Sequence, residues 1–205
     1  MIYLLIIISL AYFSLIFWLI IGFYKIKEFE IKESLSNIKF SIIIPFRNEE
    51  DNLIKLINSL NIIDYPKSTY EILFVDDEST DNSVYLIKKQ LSKEIDYKII
   101  KNIRHSNSPK KDAIETAIEK AKYSWIITTD ADCEVSKNWL QILQAKINDS
   151  NAVFIAMPVN YKANNSFLEQ FQKIDFSSLI GSTIGSFGQN KPIMCNGANL
   201  CYNKD

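Results

Sequence analysis

The first 24 residues of the chain contain no charged side chain, and Ile, Leu, Phe and Tyr dominate them. As a helix this stretch would reach about 36 Å, which exceeds the roughly 30 Å thickness of the hydrocarbon core of a bilayer. A buried helix of a soluble protein is rarely apolar on every face over such a length. A secretory signal peptide is the rival interpretation, but the stretch lacks a basic start and a small-residue cleavage site. We therefore expect residues 1–24 to form a single transmembrane helix.

Two lysines, Lys25 and Lys27, follow the predicted span directly, and only the terminal amine precedes it. Because Lys and Arg beside a span favour the cytosolic side, this bias predicts a cytosolic body attached to the plasma (inner) membrane. The cysteines Cys133, Cys195 and Cys201 match neither a disulfide framework nor metal-ligand spacing. A reducing compartment is consistent with this pattern.

The charges of the chain nearly cancel, since 23 Lys and Arg stand against 24 Asp and Glu. A nucleic-acid surface requires a basic excess, so we expect no nucleic-acid partner. Residues 25–37 mix charged and small polar groups and are predicted to form a tether. Residues 38–205 are predicted to form one domain.

From Phe40 onward, short apolar runs alternate with amphipathic segments. The predicted strands are residues 40–44, 71–75, 97–100, 125–129 and 152–157, with a last strand around 198–202. Helical spacing of apolar residues predicts helices between them. Strands that alternate with helices imply βαβ units. We therefore expect an α/β fold in which helices flank a mainly parallel sheet.

A further helix is predicted over residues 166–180, where Phe167, Phe171 and Ile174 lie in line. Core packing is the favoured interpretation of these three side chains, and an acceptor-side or membrane-facing surface is the alternative. The glycines that follow predict a loop over residues 181–188.

Polar clusters follow three of the predicted strands, at residues 45–49, 76–79 and 130–132. In an open parallel sheet, ligands bind outside the carboxyl ends of the strands. The acids expected on this rim are Asp76, Asp77, Asp130 and Asp132. Like charges repel unless a cation joins them, and Mg²⁺ or Mn²⁺ prefers carboxylate oxygens together with substrate phosphates. The rim is therefore a candidate metal and phosphate site.

Asp130 and Asp132 are two residues apart beyond an extended segment, where alternate side chains share a face. Both carboxylates can therefore address one metal–diphosphate group, whose ion would neutralise charge on the departing diphosphate. Acids are also common at strand ends because they form turns, and this is the alternative explanation for the pair Asp76 and Asp77, or for the pair Asp130 and Asp132, when each is taken alone.

Taken together, the motifs resemble the family 2 glycosyltransferases of the GT-A fold. Three segments carry the resemblance: SIIIPFRNEE (41–50), VDDESTDNS (75–83) and TTDADC (128–133). The family shows a strand ending in Pro-x-x-Asn-Glu, a Val-Asp-Asp-x-Ser-x-Asp turn and an Asp-x-Asp after the fourth strand. The resemblance runs from Phe40 to about Tyr202. It implies an inverting hexosyl- or N-acetylhexosaminyl-transferase that moves a sugar from a nucleotide-diphosphate donor to a lipid-linked or polysaccharide acceptor at the membrane.

The resemblance also implies roles for individual residues. Asp77 would contact the nucleobase of the donor, beside Asp76, and Asp130 and Asp132 would hold Mn²⁺ or Mg²⁺ and the phosphates. The other nucleotide-sugar contacts implied are Pro45, Arg47 and Glu49 around the nucleoside, Lys110 and Lys111 near the nucleotide, and Gly197 and Ala198 under the sugar. The family has a glycine before its lysine, whereas this chain has Ser108-Pro109.

Two alternatives to a glycosyltransferase stay open. A nucleotidyltransferase ordinarily carries a glycine-rich basic loop after its first strand, and the segment PFRNEE has no glycine. A non-catalytic, membrane-anchored nucleotide-sugar binder is the second alternative. The Glu-Asp or Asp-Asp pair that supplies the family's general base is not found before Asp205. We therefore expect the chain to be truncated at its C-terminal end, with the base beyond Asp205.

Overall fold

The computed structural model of the chain describes residues 1–27, 38–150 and 152–205. Among these, residues 1–27 and 157–196 form one compact unit, and the remaining residues form a second. Most of the predicted tether, residues 28–37, lies outside the described residues.

The second unit is built on a six-stranded sheet with the strand order β3-β2-β1-β4-β6-β5. Its strands are β1 (Phe40–Phe46), β2 (Tyr70–Asp76), β3 (Asp96–Lys101), β4 (Trp125–Thr128), β5 (Phe154–Ala156) and β6 (Leu200–Asn203). The first four strands pair in parallel, and β6 runs antiparallel to both of its neighbours. The prediction of a mainly parallel sheet is therefore confirmed.

Four helices of the second unit connect these strands: α2 (Glu50–Asn61), α3 (Ser83–Gln90), α4 (Pro109–Ile118) and α5 (Trp139–Asp149). Small side chains allow α4 to approach the sheet closely, since Ala113 and Ala117 are fully buried in one cluster with Ile43 and Leu73. Burying each large aliphatic side chain contributes about 1.5–3 kcal/mol to folding. This packing fixes the start of α4 relative to the strands.

The last two strands are shorter than the sequence predicts. Among the described residues, the edge strand β5 pairs only with β6, over the register Phe154↔Tyr202 to Ala156↔Leu200. The ladder therefore stops at Ala156, opposite the first residue of β6. Before β6, residues Gly197–Asn199 form a 3-10 turn instead of extended strand. The hydroxyl of Thr128 donates to the Gly197 carbonyl at 2.9 Å, which holds this turn against the end of β4.

One acid, Glu71, is fully buried inside β2. Its carboxylate accepts hydrogen bonds from the Ser41 hydroxyl at 2.7 Å and from the Lys122 amide at 2.6 Å, and Lys98 pairs with it at 3.4 Å. A buried charge is tolerated only when it is paired and hydrogen-bonded. Glu71 therefore joins β1, β3 and the segment before β4 around one charge.

The first unit contains two long helices, α1 (Ile2–Lys25) and α6 (Phe167–Gly188). Helix α1 has a mean hydropathy of 2.8 over its most apolar window, and none of that window is buried. Its length and composition are sufficient to cross a membrane, and it is the one helix of the described residues for which this holds. The predicted span thus forms a continuous helix that ends at Lys25.

The predicted loop over residues 181–188 is wrong, because α6 continues through all of them. The helix begins after Ser166, whose side chain accepts a hydrogen bond from the Glu169 amide. A Cβ atom on Gly185 would lie 2.3 Å from the Leu19 carbonyl oxygen, and one on Gly188 would lie 1.9 Å from that of Gly22. The glycines therefore let the backbones of α1 and α6 touch. Close packing of this kind offsets the roughly 1 kcal/mol that each glycine costs a helix.

Gln189, the residue after α6, joins the end of that helix to α1. Its side-chain amide donates to the Trp18 carbonyl at 2.6 Å, and its oxygen accepts a hydrogen bond from the Lys25 ammonium at 2.8 Å. The end of α6 is thereby fixed against the last two turns of α1.

The contact between Gly185 and the α1 backbone can be tested by substitution, and Gly181 in the same helix provides a matched control. Gly185→Ala should weaken the packing of α1 on α6, because the new methyl group would collide with the backbone at Leu19. Gly181→Ala should instead stabilise α6 by about 1 kcal/mol, since a Cβ there meets nothing within 4 Å. Thermal unfolding of the full chain in detergent should show a lower Tm for the first variant and a higher Tm for the second. Shifts in the same direction would contradict this contact.

Candidate functional site

The carboxyl ends of β1, β2 and β4 meet at one edge of the sheet, where a cavity of about 440 Å³ opens. Small-molecule sites typically have volumes of about 300–1,000 Å³. The cavity is lined by Pro45, Phe46, Arg47, Glu49, Asp77, Pro109, Lys110, Ala113, Asp130, Ala131 and Asp132. Seven of the residues implied by the sequence are thereby brought together: Pro45, Arg47, Glu49, Asp77, Lys110, Asp130 and Asp132.

The loops after β1 and β2 are braced against each other by Asn48. Its side-chain oxygen accepts a hydrogen bond from the Thr80 amide at 2.8 Å, and its own amide donates to the Ser79 hydroxyl at 3.1 Å. Ser79 and Thr80 therefore belong to the loop before α3 and do not cap that helix. Helix α3 begins at Ser83, preceded by Asn82, because both hydroxyl residues lie in the loop that meets Asn48.

Hydrogen bonds between these loops also satisfy two amides at the start of α2. The Glu49 amide donates to the Ser83 hydroxyl at 2.9 Å, and the Glu50 amide donates to the Asp81 carboxylate at 3.0 Å. Two residues here, Asn48 (φ 53°) and Glu78 (φ 65°), adopt left-handed backbone. Such conformations persist where the surroundings over-determine them, so the rim of the cavity is preformed.

Asp77 is the most strongly held acid of the site, with 7% of its surface exposed. Arg104 donates to both of its carboxylate oxygens, at 2.6 and 2.7 Å, and the Asn102 amide donates at 2.7 Å. The guanidinium of Arg47 lies 3.9 Å from it. The hydrogen bonds from Arg104 are the largest cause that lowers the pKa of Asp77. Asp77 is therefore ionised at neutral pH, with its orientation fixed.

Arg104 and Asn102 are absent from the sequence-based prediction. Both follow β3, which pairs with β2 in parallel and therefore ends at the same edge of the sheet. The rule that ligands bind outside the carboxyl ends of parallel strands would have identified both residues if it had been applied to β3. Among the described residues, the Asn102 side-chain oxygen is buried without a hydrogen-bond partner.

Lys110 lies in the first turn of α4, behind Ser108 as N-cap and Pro109 as the first helical residue. Its ammonium group is 2.6 Å from a carboxylate oxygen of Asp130. Asp132 is exposed, and no cation of the described residues pairs with it. The two acids of the Asp-x-Asp motif therefore differ, since one charge is compensated and the other is open to solvent.

The other residues implied by the sequence lie outside the cavity lining. The ammonium group of Lys111 pairs with Glu115 one helical turn further on, at 3.5 Å. The Asp76 carboxylate accepts a hydrogen bond from the Ser79 amide at 2.9 Å and so stabilises the turn after β2. Gly197 and Ala198 belong to the 3-10 turn before β6, and a Cβ on Gly197 would meet nothing within 4 Å. Open space beside Gly197 is compatible with a ligand close to this backbone.

The donor set of Asp130 and Asp132 suits the metal that the sequence predicts. Both offer carboxylate oxygens at the mouth of the cavity, and Mg²⁺ and Mn²⁺ favour oxygen ligands, often one or two carboxylates with substrate phosphates. The ammonium group of Lys110 forms an ion pair with Asp130, so a cation is already bound by one of the two acids. The residues therefore fit a divalent ion that approaches together with a phosphorylated ligand.

A second group of titratable side chains lies next to the cavity. His105, Asp112 and Glu115 have potential ligand atoms within 4.8 Å of one another. The His105 ring contacts oxygen acceptors through both nitrogens, Glu115 at 2.8 Å and the Ile103 carbonyl at 3.1 Å. Asp112 is fully buried and accepts hydrogen bonds from the amides of His105 and Ser106 and from the Ser106 hydroxyl. Since two ring nitrogens that face only acceptors require an imidazolium ion, we interpret this cluster as an ion-paired support of the Arg104 loop.

This arrangement predicts a pH-dependent contribution to stability. The hydrogen bond with Glu115 is the largest cause that raises the pKa of His105. A raised pKa in the folded protein gives stability that is fully present below the unfolded pKa and is lost as the pH rises through the folded pKa. NMR titration of the His105 ring should show the raised pKa, and Glu115→Gln should lower it. Glu119→Gln, at an exposed position just after α4, is the control and should leave the pKa unchanged. Equal effects of both substitutions would contradict the ion pair.

Comparison with known proteins identifies the family of the chain. The sequence model of glycosyl transferase family 2 matches residues 41–204. The match covers most of the chain and contains all three motif segments. The chain therefore belongs to glycosyl transferase family 2.

Two relatives show how much of the chain is shared. The poly(ribitol-phosphate) beta-N-acetylglucosaminyltransferase TarS of Staphylococcus aureus is 30% identical over 115 residues, which is 56% of this chain and 20% of TarS. The beta-monoglucosyldiacylglycerol synthase of Nostoc sp. is 30% identical over 112 residues, which is 54% of this chain and 23% of that enzyme. The aligned part thus spans less than a quarter of the length of either relative.

Solved structures support the GT-A fold. The crystal structure of TarS residues 1–349 in complex with UDP-GlcNAc matches with a TM-score of 0.54 and 28% identity, over 63% of this chain and 36% of that one. The mannosyltransferase PcManGT from Pyrobaculum calidifontis, in complex with GDP-Man and Mn²⁺, matches with a TM-score of 0.73 over 97% of this chain and 55% of that one. At 15% identity the second match concerns the fold alone. The predicted GT-A architecture is confirmed.

Proposed function

We propose that the cavity binds a nucleotide-diphosphate sugar together with Mn²⁺ or Mg²⁺, and that the sugar is transferred with inversion to a lipid-linked or polysaccharide acceptor. The observation that carries this proposal is the convergence of an oriented acid, Asp77, with Lys110 and the acids Asp130 and Asp132 in one cavity. Membership of the family and the names of the relatives support a hexosyl- or N-acetylhexosaminyl-transferase acting on glycan or lipid acceptors.

The nucleoside would bind at the Asp77 end of the cavity. A carboxylate offers about four acceptor sites, and Arg104 and Asn102 occupy three of those on Asp77. The remaining site can accept an N–H group of a nucleobase. Because Arg104 holds both oxygens, Asp77 loses little conformational freedom on binding, which favours affinity. Pro45, Arg47 and Glu49 line the same end.

The diphosphate would bind between Lys110 and the Asp-x-Asp acids. Helix N-termini attract anions through their free amides and their dipole, and Lys110 adds a positive charge at the start of α4. Asp130 and Asp132 would hold the divalent ion, which when bound supplies Lewis-acid stabilisation of the departing diphosphate. Lys110 would then exchange part of its contact with Asp130 for a phosphate oxygen and compensate charge on the leaving group.

Helix α1 would anchor this activity to the plasma membrane. Its length and hydropathy suit a span, and Lys25 and Lys27 beside it favour a cytosolic location of the residues after the helix. This orientation would place the cavity in the compartment that supplies nucleotide sugars.

The metal assignment predicts cation-dependent binding of nucleoside diphosphates. Calorimetry with UDP, GDP, ADP and CDP on the full chain in detergent should detect binding of at least one of them in Mn²⁺ but not in chelator. Asp132→Asn should weaken that binding by about 1.5–3 kcal/mol, the range for a lost hydrogen bond to a charged group. Asp149→Asn, at the exposed end of α5, is the matched control and should bind like the unaltered chain.

Equal affinity in Mn²⁺ and in chelator would overturn the metal site. A transfer assay with lipid and glycan acceptors, on this chain and on any natural sequence that extends it, would separate the enzyme from the non-catalytic binder. Metal-dependent binding of a nucleotide sugar without transfer in that assay would favour the binder.

The orientation predicts the behaviour of reporter fusions. A fluorescent protein that matures only in the cytosol should be active when fused after Asp205, because the lysines beside α1 favour the cytosolic side. Alkaline phosphatase, which is active only outside the cytosol, should be inactive at the same position. Phosphatase activity from that fusion would overturn the orientation. Moving the two lysines to the start of α1 should reverse the pattern and serves as the control.

A further inference from the structure

The acceptor positions on Asp77 determine which edge of a nucleobase can bind there. Its Oδ1 atom accepts two hydrogen bonds, one from Nε of Arg104 at 2.6 Å and one from the Asn102 amide at 2.7 Å. Its Oδ2 atom accepts one hydrogen bond, from Nη2 of Arg104 at 2.7 Å. Because each carboxylate oxygen has about two acceptor positions, Oδ1 is saturated and Oδ2 keeps one position for a ligand.

Arg104 also closes the side of Asp77 on which both oxygens point in the same direction. Its two donors contact the two oxygens in parallel, which is the bidentate geometry of an arginine–carboxylate pair. A base with two adjacent N–H groups, such as guanine, would need this same side to donate to both oxygens. Guanine therefore cannot form a two-point contact with Asp77 while Arg104 is in place.

Two guanidinium groups lie beside the open position on Oδ2. Nη2 of Arg104 is 2.7 Å from this oxygen, and Nη1 of Arg47 is 3.9 Å from it. The side chain of Arg47 is 54% exposed and lines the cavity. A base that donates to Oδ2 consequently places the groups on either side of its N–H near positive charge. Carbonyl oxygens are attracted there, and further N–H groups are repelled.

Two other acceptors at this end of the cavity leave the pattern unchanged. The Asn102 side-chain oxygen is buried, and hydrogen bonds from its amide to Asp77 and to the Pro109 carbonyl hold it in that orientation. Glu49 lines the cavity, and one of its oxygens accepts a hydrogen bond from Asn52 in α2 at 2.8 Å. The acceptor position beside the guanidinium groups is therefore the one on Oδ2.

We propose that the cavity selects a nucleotide whose base presents an imide, which is one N–H group between two carbonyl groups, as in uracil and thymine. The N–H group donates to Oδ2 of Asp77, and the carbonyl oxygens face the guanidinium groups of Arg47 and Arg104. Cytosine and adenine donate through an amino group, which has an acceptor on one side of the donated hydrogen and its second hydrogen on the other. The ring N–H of guanine likewise lies between a carbonyl group and an amino group. The imide is thus the edge that has acceptors on both sides of its donor.

This choice of base does not follow from similarity to known proteins. Two similar solved structures hold different nucleotides, UDP-GlcNAc in TarS and GDP-Man in PcManGT. The selection of an imide rests on the proposed binding of a nucleotide-diphosphate sugar, and it adds the identity of the base to that proposal.

Calorimetry with two methylated uridine nucleotides tests the contact with Asp77 directly. The full chain in detergent with Mn²⁺ should bind UDP and 5-methyl-UDP with similar affinity, because the methyl group at C5 leaves the imide intact. N3-methyl-UDP carries the same methyl group in place of the donated hydrogen and should bind about 100-fold more weakly, since Asp77 loses its hydrogen bond. GDP, CDP and ADP should each bind about tenfold more weakly than UDP, or worse.

Substitution of Arg47 tests the role of the guanidinium groups. Arg47→Gln should weaken the binding of UDP by about tenfold, and it should reduce the preference for UDP over GDP because one of the two cations is removed. Lys55→Gln is the matched control, since it removes the same charge from an exposed position of α2 outside the cavity lining. The control should leave both affinities unchanged. Equal effects of the two substitutions would contradict selection by Arg47.

The outcomes separate failure of this inference from failure of the nucleotide site. Metal-dependent binding of GDP, CDP or ADP with an affinity equal to that of UDP or higher would overturn the selection of an imide alone. Equal affinities for UDP and N3-methyl-UDP would do the same. Absence of binding by all of these nucleotides in Mn²⁺ would overturn the nucleotide site itself, and the choice of base with it.

Discussion

Parallel pairing of β1 with both β2 and β4 forces the acids that follow these strands to the same edge of the sheet. The carboxylates of Glu49, Asp77, Asp130 and Asp132 line one cavity, and they would repel one another without compensation. Arg104 compensates Asp77 by a two-point contact, and Lys110 compensates Asp130. The negative charge that stays open, on Asp132, is at the position where a divalent ion and a diphosphate are expected. The topology of the sheet thus brings the four carboxylates together, and it also places the cationic side chains that compensate two of them at the same edge.

In the first unit, the contact between the backbones of α1 and α6 determines how the two helices pack. Gly22 and Gly185 approach so closely that a methyl group on either would meet the backbone of the partner helix. This contact determines which side of α6 faces α1, and the same side carries the exposed Phe167 and Phe171. A small-residue junction and an exposed apolar surface therefore share one helical stripe. Core packing, the favoured interpretation of Phe167, Phe171 and Ile174 from sequence, is wrong, since all three are exposed.

The sequence predicted what depends on local pattern and missed what depends on contacts between distant segments. Apolar runs and the residues that follow them are local, so the sheet and most of the cavity, including Asp77 and Lys110, were predictable. Arg104, the partner of Asp77, follows β3, which ends at the same edge as β2. It was missed because the rule applied to the ends of β1, β2 and β4 was not applied to β3. The helix over residues 181–188 was missed because glycines indicate a break locally, whereas packing against α1 stabilises the helix. The exposure of Phe171 was missed because helical periodicity shows which residues share a face but not whether that face is covered.

Joint binding of the metal and the donor diphosphate by Asp130 and Asp132 is the central proposal for this site. Anomalous diffraction at the manganese edge, from crystals of the chain with Mn²⁺ and a nucleoside diphosphate that binds, would locate the ion directly. We predict one anomalous peak about 2 Å from a carboxylate oxygen of each acid, the distance range of oxygen ligands to such ions, with the Lys110 ammonium near a phosphate oxygen. A nucleotide bound in the cavity without a peak beside both acids, or a peak elsewhere, would contradict the proposal.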